Sequence, residues 1–323
     1  MSTDVKPESL GFLFLGGAKR VTMAQMFKEA CARRGLGCTI TGYELDAHSA
    51  LALEGDIVEG TRWSDPAIFA ELDDICRNHA ISVVLPFVDG AVGIAAEFAA
   101  KHSSTGVFAP VSPRQEVDRM FDKCAAADFF ERLGLPIPAT YRSGAPCGKL
   151  IAKPRFGSAS KGIVEINSLQ KLYEISASKY LIQERIDNRE EITVDCYVGM
   201  RTGQIAALSP RLRGEVSGGE AVRTETIADA DVDALARRVL VATGLRGAVT
   251  VQLLRDIDNG RLMVMEINPR LGGGAVASVH AGVDLPGLII DDTLGLPLTT
   301  QHAKPGVETV RYLADVVFYP DKN

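Results

Sequence analysis

Residues 261–276, RLMVMEINPRLGGGAV, set an acid, an amide and an arginine at alternate positions of a hydrophobic strand, Glu266, Asn268 and Arg270, and then run into three glycines. Side chains two apart on a strand leave the same face about 6.6 Å apart, so the three can serve one site. The segment before them, GAVTVQLLRD, is joined to this strand by IDNG, a hairpin signal. A three-residue loop Asp258-Asn259-Gly260, with Gly260 left-handed, places Gln252 opposite Glu266 and Leu254 opposite Val264, with Cβ atoms about 5 Å apart. A two-residue Asn-Gly loop shifts the pairing by one and puts Gln252 and Glu266 on opposite faces, leaving a solvated amphipathic hairpin. In the first register Gln252, Glu266 and Asn268 are three oxygen ligands with one formal charge. That set suits magnesium, which keeps waters and takes further ligands from phosphates, whereas a calcium cage needs more carboxylates. Arg270 and the exposed amides of the glycine run, Gly272 and Gly273 among them, suit an oxyanion.

Other segments carry compatible chemistry. GKLIAKPRFGSASKGIVEI, residues 148–166, sets Lys153 near the end of an apolar strand, before a loop of small residues, Gly157, Ser158, Ser160, Lys161 and Gly162. An ammonium group beside such a loop neutralises phosphate charge while loop amides donate to the oxygens. Lys123 sits in a helical stretch upstream; Glu184, Arg185, Ile186 and Glu191 flank a polar turn between two strands. Taken alone, Lys123, Glu184 and Glu191 read as solvated surface positions. In SPRLRGEVSGGEAVRTET, residues 209–226, Arg211, Arg213 and Arg223 surround Gly218-Gly219, and arginine grips carboxylates in bidentate fashion. Glu220 could accept an ammonium group, and His280 reads as a packed helix histidine. No G-x-x-x-x-G-K-[ST] and no G-x-G-x-x-G occurs, which argues against a Walker site and a dinucleotide fingerprint.

The chain must position these groups within 323 residues, enough for two or three packed units. Its 46% hydrophobic and 24% charged residues are those of an ordinary globular protein. The formal charge of −6 disfavours nucleic acid and anionic membranes as partners. Apolar runs are strand-sized and no signal pattern opens the chain, so the expected location is cytoplasmic. Six cysteines lie scattered, without a C-x-x-C pair.

Residues 1–112 alternate apolar runs with helical patterns, which predicts a doubly wound α/β domain on a parallel sheet. A helix bounded by prolines, ending at LGLPIP, marks a junction. Residues 113–186 and 187–323 are α+β, with short, largely antiparallel strands and helices near SLQKLYEIS and ADVDALARRVLVATG.

Together the metal hairpin VQLLRDIDNGRLMVMEINPRLGGG and the segments FDKCAAADFFERLGLPIPAT and IAKPRFGSASKGI resemble the ATP-grasp superfamily, within it the single-unit ligases similar to carbamoyl phosphate synthetase. The resemblance runs from about Gly11 to Asp291. It implies a pre-ATP-grasp α/β domain, residues 1–112, then a lid with its linker helix, 113–186, and a C-terminal antiparallel-sheet subdomain, 187–323, carrying metal and substrate. It implies that Lys123 and Lys153 contact ATP phosphates under the 157–162 loop, that Glu184 to Ile186 meet the adenine, and that Glu191 meets the ribose. Gln252, Glu266 and Asn268 are then the ligands of two magnesium ions, with manganese as a substitute. Arg270 lies beside the transferred phosphoryl group, joined by Lys153 and Arg211 as catalytic residues.

Two departures stand out: the loop is GSASKG rather than a glycine run, and Ala91 replaces an acid two residues after Asp89. The implied activity is ATP-dependent ligation of a small carboxylate, with an amino acid as the leading candidate, to an amine or thiol through an acyl phosphate. The substrate side falls to Arg211, Arg213, Arg223, Gly272 and Gly273, and a homodimer is the common assembly for such enzymes. The competing reading is a catalytically silent ATP-binding module.

Overall fold

The computed structural model describes residues 7–102, 106–143, 148–157, 161–217 and 220–319. The chain opens with β1 (Ser9–Leu15), α1 (Val21–Arg33), β2 (Gly37–Glu44), a 3-10 turn at Ala50–Leu53, β3 (Asp56–Glu59), α2 (Ile68–Asn78), β4 (Ile81–Pro86) and α3 (Asp89–Lys101). The four strands are parallel in the order β3-β2-β1-β4. All of β1 except Ser9 is buried, because crossover helices cover both faces of a parallel sheet. Phe12 and Phe14 face one helical layer with Phe27 of α1, while Leu13 and Leu15 face the other with Leu72 of α2 and Phe98 of α3.

The proline-bounded segment predicted as one helix is two, α4 (Arg114–Phe121) and α5 (Lys123–Arg132). Asp122 breaks it with φ −87° and ψ 99°, and its carboxylate accepts from the Cys124 and Ala125 amides. Such a cap satisfies the amides that open a helix. The same carboxylate takes Arg155 at 2.6 to 2.9 Å, which ties the start of α5 to the end of the next strand.

That strand is β5 (Leu150–Pro154), followed by β6 (Val164–Ile166), α6 (Leu169–Glu174) and β7 (Tyr180–Glu184). They form an antiparallel sheet, β6-β5-β7, around a small core of Leu150, Ala152, Ile166, Leu172 and Ile182. The rest comprises β8 (Arg189–Val198), β9 (Ile205–Arg213), β10 (Val216–Ser217), β11 (Glu220–Ala221), β12 (Arg223–Thr226), α7 (Ala230–Thr243), β13 (Gly247–Asp256), β14 (Leu262–Asn268), α8 (Ala275–His280), α9 (Leu285–Thr293), β15 (Gln301–His302) and β16 (Glu308–Val310). The large sheet runs β14-β13-β8-β9-β12-β16 and is antiparallel except where β15 joins β9. Among the described residues no helix is long and apolar enough to cross a membrane.

Strand alternation lets the large sheet serve two layers. From β8, Ile192, Val194 and Cys196 pack with Phe130 of α5 and Val239 of α7. Glu191, Thr193 and Asp195 therefore point the other way. Further along that face, Tyr197 joins the core of the parallel sheet, together with Leu285, Leu288 and Ile289 of α9. Arg34, just past α1, holds Asp291 of α9 at 2.7 and 2.8 Å. The two ends of the chain share a core, and α4 and α5 contribute to the core of the large sheet rather than to that of the small one.

Candidate active site

The hairpin β13–β14 pairs Thr250 with Asn268, Val251 with Ile267 and Gln252 with Glu266, as the three-residue loop predicts. Nearer the turn the register shifts: Leu254 opposes Met263, not Val264. The loop holds four residues, 257–260, closed by Asp256 N–H donating to the Arg261 carbonyl at 2.9 Å, with Gly260 left-handed at φ 75°. The Asp256 carboxylate props it open, accepting from the Asp258 amide and from Asn259 Nδ2 at 3.1 and 2.7 Å. One additional loop residue would by itself turn Glu266 away from Gln252. A bulge at Met265 restores the pairing by adding a residue on the other side. Met265 and Glu266 consequently both line the cleft.

That cleft, about 350 Å³, lies between the small and large sheets. It gathers Lys123, Lys153, Gly157, Lys161, Glu184, Arg185, Ile186, Glu191, Gln252, Glu266, Asn268 and Arg270. Ser158 and Ser160 lie outside the described residues; Gly162 borders the loop with φ 74°. Pro138, Ile151, Ile163, Leu254 and Met265 supply apolar walls, the environment a flat aromatic base requires.

Lys123 is the first residue of α5, whose opening amides are already taken by Asp122 and by the Arg155 carbonyl, so its contribution is the side chain. Its Nζ donates to the Gly157 carbonyl at 2.6 Å. Lys153 donates to Gln183 Oε1 at 3.1 Å. Burial holds the Lys153 ammonium below the usual lysine range, with the Glu266 carboxylate the first of the opposing influences. A depressed lysine binds fewer protons folded than unfolded, so its cost to stability is full below the folded value and is relieved as pH rises from that value to the unfolded one. An arriving polyphosphate raises that value again, so ATP binding is expected to take up protons in the pH window between the free and the ATP-bound values. Calorimetry in two buffers of different ionisation enthalpy measures this; Lys153→Arg, charged at every accessible pH, should abolish the uptake while keeping the cation.

Glu184 does not offer its carboxylate to the cleft. Oε1 accepts from the Ala139 amide at 2.8 Å, and Arg261 spans both oxygens at 3.0 and 2.9 Å. The guanidinium holds the acid below the usual carboxylate range. What residues 184–186 can present is backbone, as a strand end leading into β8. Glu191 on β8 accepts from Arg189 and Arg213, each at 3.3 Å.

A second cavity of about 120 Å³ adjoins the first, and Arg20, Arg213, Gln252, Asn268 and Arg270 line both. Gly272 and Gly273 belong to it, as does Arg211. Arg211 is buried, with Nε 2.8 Å from Asp195 and Nη1 3.4 Å from Thr224 Oγ1, so it forms a wall of the second cavity rather than part of the larger cleft. The glycine run is explained by this pair: a Cβ on Gly274 would meet the Arg211 guanidinium at 2.7 Å, and one on Gly272 would meet Thr250 Oγ1 at 2.9 Å. Arg223 is a correction. On β12, Thr224 pairs with Arg213 and Thr226 with Arg211, so the even positions share the cavity face and Arg223 projects outward to Glu308 at 2.5 Å. Gly218, Gly219 and the side chain of Glu220 lie outside what the structure describes, and His280 is exposed at the end of α8.

Arg270 is held from the parallel-sheet domain. Its Nε and Nη2 donate to Asp89 Oδ1, at the first turn of α3, at 2.7 and 2.5 Å. Asp89→Asn weakens that clamp without removing the hydrogen-bond acceptor. We expect kcat to fall about tenfold to a hundredfold, the usual penalty for misplacing a group by an ångström, with the KM for ATP nearly unchanged in steady-state assays. Sequence reasoning missed three other contributors: Arg20 after β1, Asp195 and Arg261. Only Arg20 carried a local signal, a basic residue closing the GGAKR turn.

Residues 176–316 match the model of a family described as ATP-grasp in the biosynthetic pathway with Ter operon. No curated protein matches the chain in sequence. Among solved structures it is similar to biotin carboxylase of Campylobacter jejuni, at 16% identity over 92% of this chain and 73% of that one, TM-score 0.70. It is also similar to N5-carboxyaminoimidazole synthetase of Staphylococcus aureus, at 16% identity, 93% and 81% coverage and TM-score 0.73. A third is the biotin carboxylase domain dimer of Hydrogenobacter thermophilus 2-oxoglutarate carboxylase, captured with MgADP, ADP and bicarbonate, at 15% identity, 92% and 72% coverage and TM-score 0.69. At such identities the likeness is one of fold.

Proposed function

From the ATP-grasp fold of this chain, we propose that the protein is an ATP-dependent ligase that activates a small carboxylate as an acyl phosphate and joins it to an amine or thiol, releasing ADP and phosphate. The observation that carries this reading is that Gln252 and Asn268 line both cavities and Glu266 the larger one, where Lys123, Lys153 and Lys161 also lie, with Arg20, Arg213 and Arg270 shared between the two. The donor chemistry of the first three fits magnesium: Gln252 and Glu266 are directly opposed, and Asn268 Nδ2 stands 3.2 Å from Glu266 Oε1, leaving both amide oxygens available. Magnesium bound there with ATP, as two ions or with manganese in place, supplies charge neutralisation at the phosphates.

The chain's own residues do the remaining work. Apolar walls and the backbone of 184–186 hold the base, and Glu191 lies within reach of a ribose. Lys123 and Lys153 hold the phosphate oxygens, and Arg270 faces the transferred group. Transfer of this kind depends on positioning and charge more than on covalent participation by the protein. An acyl phosphate also needs protection from water, a task suited to Lys161 and the loop beside it. A homodimer in the cytoplasm completes the reading.

The test is a screen of carboxylates paired with amines and thiols, with Mg-ATP, reading ADP and phosphate. Release above background with at least one pair is expected. ATP binding without release in any pair would instead identify a silent nucleotide-binding module. The amino acid suggested by the sequence as the activated acid is the part of the reading on which the second cavity bears.

A further inference from the structure

Among the described residues, six of the fifteen large hydrophobic side chains that stand exposed fall within ten consecutive positions, 310–319, VRYLADVVFY. Tyr312, Leu313 and Tyr319 are 87%, 100% and 84% exposed, and Val310, Val317 and Phe318 are exposed as well. Residues 311–319 form neither helix nor strand, although VVFY is a β-branched and aromatic run of the kind that favours strands. At about 200 Å² for each fully exposed ring, the three aromatic residues leave about 400 Å² in water. The three aliphatic residues bring the run to roughly 700 Å². The largest apolar patch of a typical monomer is about 300 to 600 Å², whereas each partner in a standard protein interface contributes about 800 Å². The run is therefore of interface size. It is held at both ends, by β16 at Val310 and by Phe318, whose ring meets His48 of the parallel-sheet domain edge-on with centroids 4.8 Å apart.

The same run begins on a sheet edge. β16 is the last strand of the large sheet, and β12 is its strand partner among the described residues. The Arg311 amide donates to the Val222 carbonyl at 2.8 Å, and the Val307 carbonyl accepts from the Thr226 amide at 3.0 Å. Odd positions thus face β12, and Glu308 and Val310 turn amide and carbonyl outward. Natural proteins cover long apolar edges of this kind, because an uncovered one recruits other chains. A second copy fits this edge by symmetry. Laid antiparallel about a two-fold axis, it presents the same even positions, so Glu308 and Val310 of the two edges exchange backbone hydrogen bonds and each apolar run continues onto the other copy. We infer that residues 308–319 are the surface through which two copies of this chain associate, with their β16 edges paired across the axis. The inference rests on the homodimer in the proposed function and gives it a surface.

Sedimentation velocity on the full chain, from about 1 to about 100 µM, tests this. The wild type is expected to be dimeric at about 10 µM, as an interface of standard size allows. Tyr312→Asp combined with Leu313→Asp should raise the dimer dissociation constant at least a hundredfold. Both side chains stand in water, so the far-ultraviolet circular dichroism and the calorimetric ATP affinity, within twofold, should show a folded monomer. Hydrogen exchange then locates the contact: amides of residues 308–319 are expected to exchange at least tenfold more slowly in the wild-type dimer than in the double variant. A wild type that stays monomeric over the whole range overturns the inference, as does a double variant that dimerises as tightly as the wild type or a dimer whose 308–319 amides gain no protection. Sedimentation needs no turnover, so each of these results leaves the ligase reading standing. A protected dimer that releases no ADP in the carboxylate screen upholds the interface and overturns the ligase reading instead.

Discussion

Replacing Glu266 with alanine should abolish turnover, lowering kcat by about a thousandfold or more, while the melting temperature moves by no more than a few degrees. The two effects separate because Glu266 is expensive to lose for chemistry and cheap to lose for folding. It is half-buried on β14 and accepts a long hydrogen bond from Asn268 Nδ2 at 3.2 Å. It is also the only carboxylate of the three proposed ligands, the others being neutral amides. Charge neutralisation by a divalent ion contributes several kcal/mol to a phosphoryl-transfer transition state, and each 1.36 kcal/mol is about tenfold in rate. Lys153 suffers as well, since the Glu266 charge helps keep it protonated. Phosphate release measured at saturating magnesium and ATP, beside a thermal melt, checks this. A variant keeping more than a tenth of the kcat would contradict the metal assignment.

Replacing Asp195 with alanine should do the reverse, destabilising the protein by about 3 to 5 kcal/mol and lowering the melting temperature by about 10 °C. The Arg211 and Asp195 side chains are 4% and 2% exposed, so removing the acid strands a guanidinium with no water to solvate it. Ser278 loses its acceptor in the same step. Burying a pair repays desolvation only when both members are present. The double substitution Asp195→Leu with Arg211→Met should therefore recover most of the lost stability and none of the activity, because Arg211 also walls the second cavity. Urea unfolding followed by circular dichroism gives the energies. A double variant as unstable as Asp195→Ala would show that the two residues do not act as a buried pair.

How far the sequence can be read depends on the distance over which each property is decided. Alternation along β14 puts Glu266 and Asn268 on one face from local pattern alone, and the same rule shows why β8 is polar at Glu191, Thr193 and Asp195 and apolar between. Much of the strand and helix order also follows from periodicity; β3, α3, α8 and α9 were not read from it, nor was the break at Asp122, where one side chain caps α5 and binds Arg155 at once. The hairpin shows the limit. The pairing of Gln252 with Glu266 was legible, but it arises from a longer loop offset by a bulge, two one-residue shifts of opposite sense that cancel.

The sequence by itself determined the types of chemistry present: an oxygen ligand set with one charge, lysines beside a small-residue loop, arginines beside glycines. Spacing along one chain carries that much, since backbone geometry repeats every two residues in a strand. Only the tertiary structure decided which groups meet. Arg223 faces outward because the register between β9 and β12 inverts its parity relative to Arg211 and Arg213. Arg211 is neutralised by Asp195 across adjacent strands, Glu184 by Arg261 across 77 residues, and Arg270 by Asp89 across 181. Those pairings depend on packing of distant segments, and no local periodicity encodes them. The glycines that follow Asn268 are likewise a tertiary matter: Gly274 leaves space for a guanidinium delivered by another strand.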